Sequence, residues 1–277
     1  MKLSKETIEN LDYSSYVGIV KETNRPSGGI KTVHLACVNS FLDANKKVLE
    51  IGCNTGFTSR TIHMLTGSKV VGMDINNDSL ETARNMNNKF GIDSKQVNFV
   101  NASATKIPFE DKSFDAVWLS NVLSFIGDKT QTISECLRVL KNEGFLIFVP
   151  IYYVKTPPDK LIMKVEKAIR STLEIRSKFD WIKFIKSSKV HLEICFEKDF
   201  FYKDMKEDIP SYLEEVFNKP SLEVYDSDTL ALLREKGTEF MTLFNENLKY
   251  AGFTLFVLQK REYAEERELF LSKEDNK

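Results

Sequence analysis

The sequence predicts an α/β protein with a doubly wound, mainly parallel sheet, on three observations. Between residues 46 and 150, short apolar runs alternate with amphipathic stretches, the pattern of buried strands covered by helices on both faces. The first run, Val48 to Ile51, opens directly into Gly52-Cys53-Asn54-Thr55-Gly56, a tight turn leading into a helix. A second run, Val70 to Met73, delivers Asp74 about twenty residues beyond the turn, the layout of a site for an adenosine-containing ligand at the carboxyl ends of the strands.

Residues 1–45 read as an N-terminal helical segment or flap, in which Pro26-Ser27-Gly28-Gly29 marks a turn and starts a helix running to about Leu42. The core, 46–150, contains strand candidates Lys47 to Ile51, Lys69 to Asp74, Gln96 to Asn101, Phe114 to Ser120 and Gly144 to Pro150. Helices are predicted near 56–66, 77–90 and 128–141. Asn76, Asn77 and Asp78 supply N-caps for the second, and Ile133, Cys136, Leu137 and Leu140 form one face of the third. Right-handed crossovers between parallel strands make the doubly wound order. After the fifth strand, Pro157-Pro158-Asp159 begins a helix, and the pattern then becomes irregular and rich in aromatics, including Trp181, Phe200, Phe201, Tyr202 and Tyr212. Residues 151–225 are therefore expected to be a lid insertion that binds the acceptor. An amphipathic helix through Leu230, Leu233, Phe240 and Leu248, closed by Ala251-Gly252 and followed by the strand Phe253 to Leu258, completes the sheet over 226–260. A charged tail, 261–277, is expected to dock through Tyr263 and Phe270.

At 277 residues and 42% hydrophobic content the chain has ample material for a buried core. Its 39 basic and 40 acidic residues nearly cancel, which argues against a nucleic-acid partner. The start has no apolar signal core and no run approaches the roughly twenty residues needed to span a bilayer, so a soluble, cytoplasmic protein without a membrane partner is expected. Cys37, Cys53, Cys136 and Cys195 are scattered within or beside apolar stretches; reduced, buried thiols are expected rather than disulfides, with no metal.

Two common nucleotide sites fail on residues. A dinucleotide turn needs glycines at positions where Asn54 and Phe57 stand, and a P-loop needs a Lys-Ser or Lys-Thr pair where Phe57-Thr58 stands. Glu50, immediately before the turn, would repel a pyrophosphate but can pair with a cationic amine. With these residues the chain resembles the class I S-adenosylmethionine-dependent methyltransferases of the small-molecule type, over roughly residues 46 to 150. Val48 to Phe57 is similar to that family's first motif. Ser103 to Phe109 with Asp111 to Asp115, Val117 to Leu123, and Arg138 to Leu146 are similar to its later segments. The resemblance implies a Rossmann-like methyltransferase fold and S-adenosylmethionine as cofactor, with S-adenosylhomocysteine as product. It implies cofactor binding by Glu50, Gly52, Asn54, Gly56, Asp74, Ile75, Ser103, Ala104 and Asn121. Asp74 would hold the ribose hydroxyls, Ile75 would pack on adenine, and Glu50 would position the amino group.

Asn54 replaces the family's usual middle glycine, and asparagine tolerates positive φ. Ser103 stands where an aspartate commonly accepts from adenine. Tyr13, Tyr16, Arg25 and His34 are candidates for acceptor binding; His63 and His191 have no readable partner, and no catalytic base emerges. The expected reaction is methyl transfer to an oxygen or nitrogen of a small-molecule acceptor. A nucleic-acid or protein acceptor, and a non-catalytic binding module, are the alternatives.

Overall fold

Strand direction and order in the sheet follow from where the chain can hide apolar runs on two faces. The structure, a computed structural model, describes residues 2–23, 25–173, 177–188 and 190–262; most of the tail, with Tyr263 and Phe270, lies outside the described residues. Two short helices, α1 (Lys5–Glu9) and α2 (Tyr13–Val20), precede α3 (Gly29–Asn39). The alternating core is β1 (Lys47–Ile51), α4 (Phe57–Thr66), β2 (Lys69–Asp74), α5 (Asn77–Lys89), β3 (Val97–Asn101), β4 (Phe114–Ser120), α6 (Lys129–Val139) and β5 (Leu140–Val149). There follow β6 (Ile151–Tyr153), α7 (Asp159–Ile169), α8 (Lys178–Lys186), β7 (His191–Phe201), α9 (Ile209–Phe217), α10 (Ser227–Leu248) and β8 (Ala251–Arg261).

The sheet runs β3-β2-β1-β4-β5, all parallel. β8 then inserts antiparallel, pairing with β5 and its continuation β6 on one edge and with β7 on the other. The predicted α/β class and doubly wound sheet are therefore present. Leu49, Ile51, Val117, Leu119, Leu146 and Phe148 face α6 and α8, which contribute Cys136, Leu137, Trp181 and Ile185. On the opposite face Val48, Val70, Trp118 and Ile147 meet Val33 and Ala36 of α3, Ile62 of α4 and Leu80 of α5. Every residue from Val48 to Ile51 is buried, as expected of a strand covered on both faces.

Three sequence expectations need correction. The stretch read as a lid insertion contributes to the sheet layer, because α8 packs on the sheet and β7 is its edge strand. The fifth strand begins at Leu140 rather than Gly144; it loops out between Leu140 and Phe145, with Glu143 at φ 58°. Cys195 is exposed, unlike Cys37, Cys53 and Cys136, because it lies at a bulge between Ile194 and Phe196 on the edge strand. Among the described residues no helix is long and apolar enough to cross a membrane.

A third cluster lies apart from the sheet. Ile8, Tyr16, Val17 and Val20 of the first two helices pack against Val216 of α9 and Leu233 and Phe240 of α10. These helices stand over the carboxyl ends of the parallel strands, where a cavity of about 1280 Å³ opens between them and the glycine turn.

Candidate active site at the carboxyl ends of the strands

The turn after β1 is shaped by close approach. Gly52 sits at φ +72°, and a Cβ there would lie 2.5 Å from Val122 Cγ2; at Gly56, φ +73°, it would lie 2.4 Å from Phe99 Cζ. Asn54 adopts φ 46°, the tolerance its side chain predicted, and its Oδ1 accepts from Thr55 N at 2.7 Å.

The turn's amides already have acceptors within the protein. Gly52 N and Cys53 N donate to Met73 O, and Gly56 N donates to Cys53 O. Asn54 N donates to Asp74 Oδ2 at 2.9 Å. The first turn of α4, the place where phosphate-binding folds seat an anion, instead receives the protein's own carboxylate. Glu50 is 4% exposed and accepts from the Ser59 hydroxyl; Ser59 N and the Thr58 side chain also bond to it. Burial pushes the Glu50 carboxyl up to about 7, against the lowering effect of these donors and of Arg60. The Arg60 guanidinium lies near but donates to Ala83 O at 3.3 Å. A buried, partly compensated carboxylate on the cavity wall suits a cationic ligand group and repels a pyrophosphate.

The other sequence-predicted residues assemble around the same cavity. Asp74, at the end of β2, also accepts from Asn76 N at 2.9 Å, so each oxygen holds one backbone amide and keeps lone-pair capacity for a hydroxyl. Ile75 is 76% exposed and lines the cavity, as do Ser103, Ala104 and Asn121. Ser103 Oγ bonds Thr105 Oγ1 and Thr105 N, and Asn121 is held at φ 53° with its Oδ1 accepting from Ser124 Oγ. Asn101 donates to Ile75 O at 2.9 Å and so steadies the Ile75 loop from outside the cavity. Gly56 shapes the turn but does not line the cavity.

Of the acceptor-binding candidates, Tyr13 and Arg25 line the cavity, Arg25 lying over the Phe57 ring at 5.3 Å. Tyr16 and His34 do not. His34 is on the exposed side of α3, and Tyr16, 1% exposed, faces Phe240 and Gly237 of α10. Among the described residues the Tyr16 hydroxyl has no hydrogen-bond partner. Tyr16→Phe is therefore expected to raise stability by about 1 kcal/mol in urea denaturation by relieving a buried unsatisfied hydroxyl, with cofactor affinity unchanged; a clear loss of stability would show that the hydroxyl has a partner.

Sequence reasoning missed Glu22, which is 8% exposed on the cavity wall, and Lys219, which lies beside it with Tyr212. No motif marks a lone glutamate after a short helix. The aromatic-rich stretch divides by environment: Phe200, Phe201, Tyr202 and Tyr212 line the cavity, Trp181 and Phe184 pack on the sheet, and Phe179 is exposed.

With this fold and cavity in view, residues 49–148 match the methyltransferase domain family. The match spans the alternating strands and helices around the glycine turn, and the fold is the Rossmann-like one of the class I methyltransferases. It is 29% identical over 169 residues to an uncharacterized protein of Haemophilus influenzae, covering 60% of this chain and 67% of that one. It is 34% identical over 155 residues to the ubiquinone/menaquinone biosynthesis C-methyltransferase UbiE of Pseudomonas paraeruginosa, covering 53% and 57%. Of other curated methyltransferases it spans less than half the length. Among solved structures, that of the MccD protein superposes with a TM-score of 0.72 at 23% identity, covering 86% of this chain and 100% of that one; this similarity is one of fold.

Proposed function

We propose that the protein is an S-adenosylmethionine-dependent methyltransferase of the cytoplasm that methylates an oxygen or nitrogen of a small-molecule acceptor. The observation that carries this reading is the Glu50 carboxylate filling the N-terminus of α4. It favours a cofactor with a cationic amine over any nucleotide phosphate. Glu50 would hold that amine, Asp74 the ribose hydroxyls, Ile75 and Ala104 the adenine faces, and Ser103 the adenine edge. When bound, the cofactor supplies an electrophilic methyl group on a sulfonium.

The chain's own contribution is enclosure and orientation. The cavity exceeds the roughly 300–1,000 Å³ of a single-ligand pocket, which supports a second molecule beside the cofactor. Its far wall is built by α2, α7, α9 and α10, and a roof of this kind suits a small acceptor better than a polymer. Because the family match ends at residue 148, the acceptor is argued from this wall alone.

The test has two parts on the full chain. Calorimetry should detect binding of S-adenosylhomocysteine with a Kd of about micromolar order. A panel of amines, hydroxy acids and phenols incubated with S-adenosylmethionine should yield a methylated product by mass spectrometry. Absence of cofactor binding would overturn the reading. Binding without product across the panel would favour a non-catalytic module, and product only with RNA or protein would overturn the small-molecule assignment.

A further inference from the structure

The far wall of the cavity holds a buried carboxylate that the cofactor reading does not use. Helix α2 ends at Lys21, in left-handed conformation at φ 48°, and this turn swings Glu22 inward. Glu22 N donates to Val17 O at 3.1 Å. Thr55 Oγ1, from the glycine turn, donates to Glu22 O at 3.5 Å, so the residue sits beside the cofactor half. Tyr13 Oη donates to Glu22 Oε1 at 3.5 Å, and the Tyr212 hydroxyl also bonds the carboxylate. The Tyr13 ring meets Phe244 edge-on at 4.8 Å. Tyr13, Tyr212 and Phe244 all line the cavity.

A carboxylate set among aromatic rings is the chemistry that recognises an alkylammonium, through a charge-assisted hydrogen bond and ring-face attraction. Lys219 is a cation that acts on Glu22. Its Nζ is held by Lys21 O at 2.8 Å, and burial rather than Glu22 dominates its titration. Together Tyr212, Lys219 and Tyr13 do not offset the burial of Glu22, whose carboxyl stays above its ordinary range. An ammonium would supply charge that these donors leave uncompensated.

We propose that Glu22, with Tyr13, Tyr212 and Phe244, forms the acceptor subsite and selects an amine that enters in its ammonium form. The inference rests on the methyltransferase reading and narrows it from oxygen or nitrogen to nitrogen. At this subsite the ammonium N–H bond breaks as an O–H bond forms on Glu22. The product is a neutral amine with a free lone pair beside a neutral acid, a change favoured by the low dielectric.

The experiment compares 2-phenylethylamine with its neutral counterpart 2-phenylethanol, titrated into the full chain with and without saturating S-adenosylhomocysteine. The amine is expected to bind at least about tenfold more tightly than the alcohol. Glu22→Gln should bring the two within about twofold while leaving S-adenosylhomocysteine affinity unchanged. Equal binding by the native protein, an alcohol preference, or no binding of either probe up to about 10 mM overturns the proposal, and these comparisons need no variant to fold. A preference that survives Glu22→Gln overturns it as well. Failure of the cofactor reading is separate, since it would appear as absent S-adenosylhomocysteine binding whatever the probes do.

Discussion

Replacing Glu50 with glutamine is expected to weaken S-adenosylmethionine binding by about 100-fold, the scale of removing one partner from a buried charge pair, and at the same time to stabilise the cofactor-free protein at alkaline pH. Both effects come from one carboxyl held at about 7 by burial. Its folded value lies above the unfolded one, so its stabilising contribution is present below about pH 4.5 and is lost as pH rises through about 7. Charging it at pH 8 costs on the order of 3 kcal/mol. Glu50→Gln removes that cost and keeps an acceptor for Ser59, so its melting temperature should exceed that of the native protein at pH 8 and converge with it towards pH 5. Binding runs the other way. A cationic amine favours the ionised carboxyl, so native affinity should improve as pH rises from 5.5 to 7, by up to about tenfold per pH unit. In Glu50→Gln that slope should vanish. Scanning fluorimetry and calorimetry across pH read both predictions; a variant that binds as tightly as the native chain would sink the amine assignment.

The half of the cavity around the glycine turn was legible in sequence because its geometry is local. Strand, turn and helix from Val48 to Thr66 are adjacent in the chain, and parallel pairing of Ile51 with Met73 brings Asp74 beside the turn. Even Asn54 could be read correctly, since its left-handed backbone depends on its own side chain and the turn. What remained hidden was how Glu50 is held. The glutamate stands out in an apolar run, but only the structure puts its carboxylate against the first turn of α4.

The far wall was not legible, and β7 shows why. Leu192 and Ile194 pack on the α8 face of the sheet, whereas Phe196 and Phe200 pack on the α3 face. The bulge at Cys195 exchanges the faces midway, so no single period-2 pattern spans the strand. Tyr16 fails for a different reason. The apolar stripe of α2 announces burial, but its partner, α10, lies more than two hundred residues away in the chain. Glu22 has no pattern at all; its inward position depends on the left-handed Lys21 and on Tyr212, contributed by α9.

Asp74→Ala is expected to abolish measurable S-adenosylhomocysteine binding, a loss of at least about 100-fold, because the ribose contacts and the shape of the turn depend on the same carboxylate. Its two oxygens hold Asn54 N and Asn76 N separately. Alanine leaves both amides without their acceptor, and asparagine would turn an NH₂ group towards one of them, so each variant should also lose about 1–3 kcal/mol of stability. The ribose role can be separated from the turn role by competition with adenosine and 3′-deoxyadenosine. The native protein should prefer adenosine, since a carboxylate accepting a hydroxyl proton distinguishes the two, while Asp74→Asn should lose most of that preference even where residual binding persists. If Asp74→Ala binds S-adenosylhomocysteine within about threefold of the native chain, the carboxylate serves only the turn, and the ribose must be held elsewhere along the cavity.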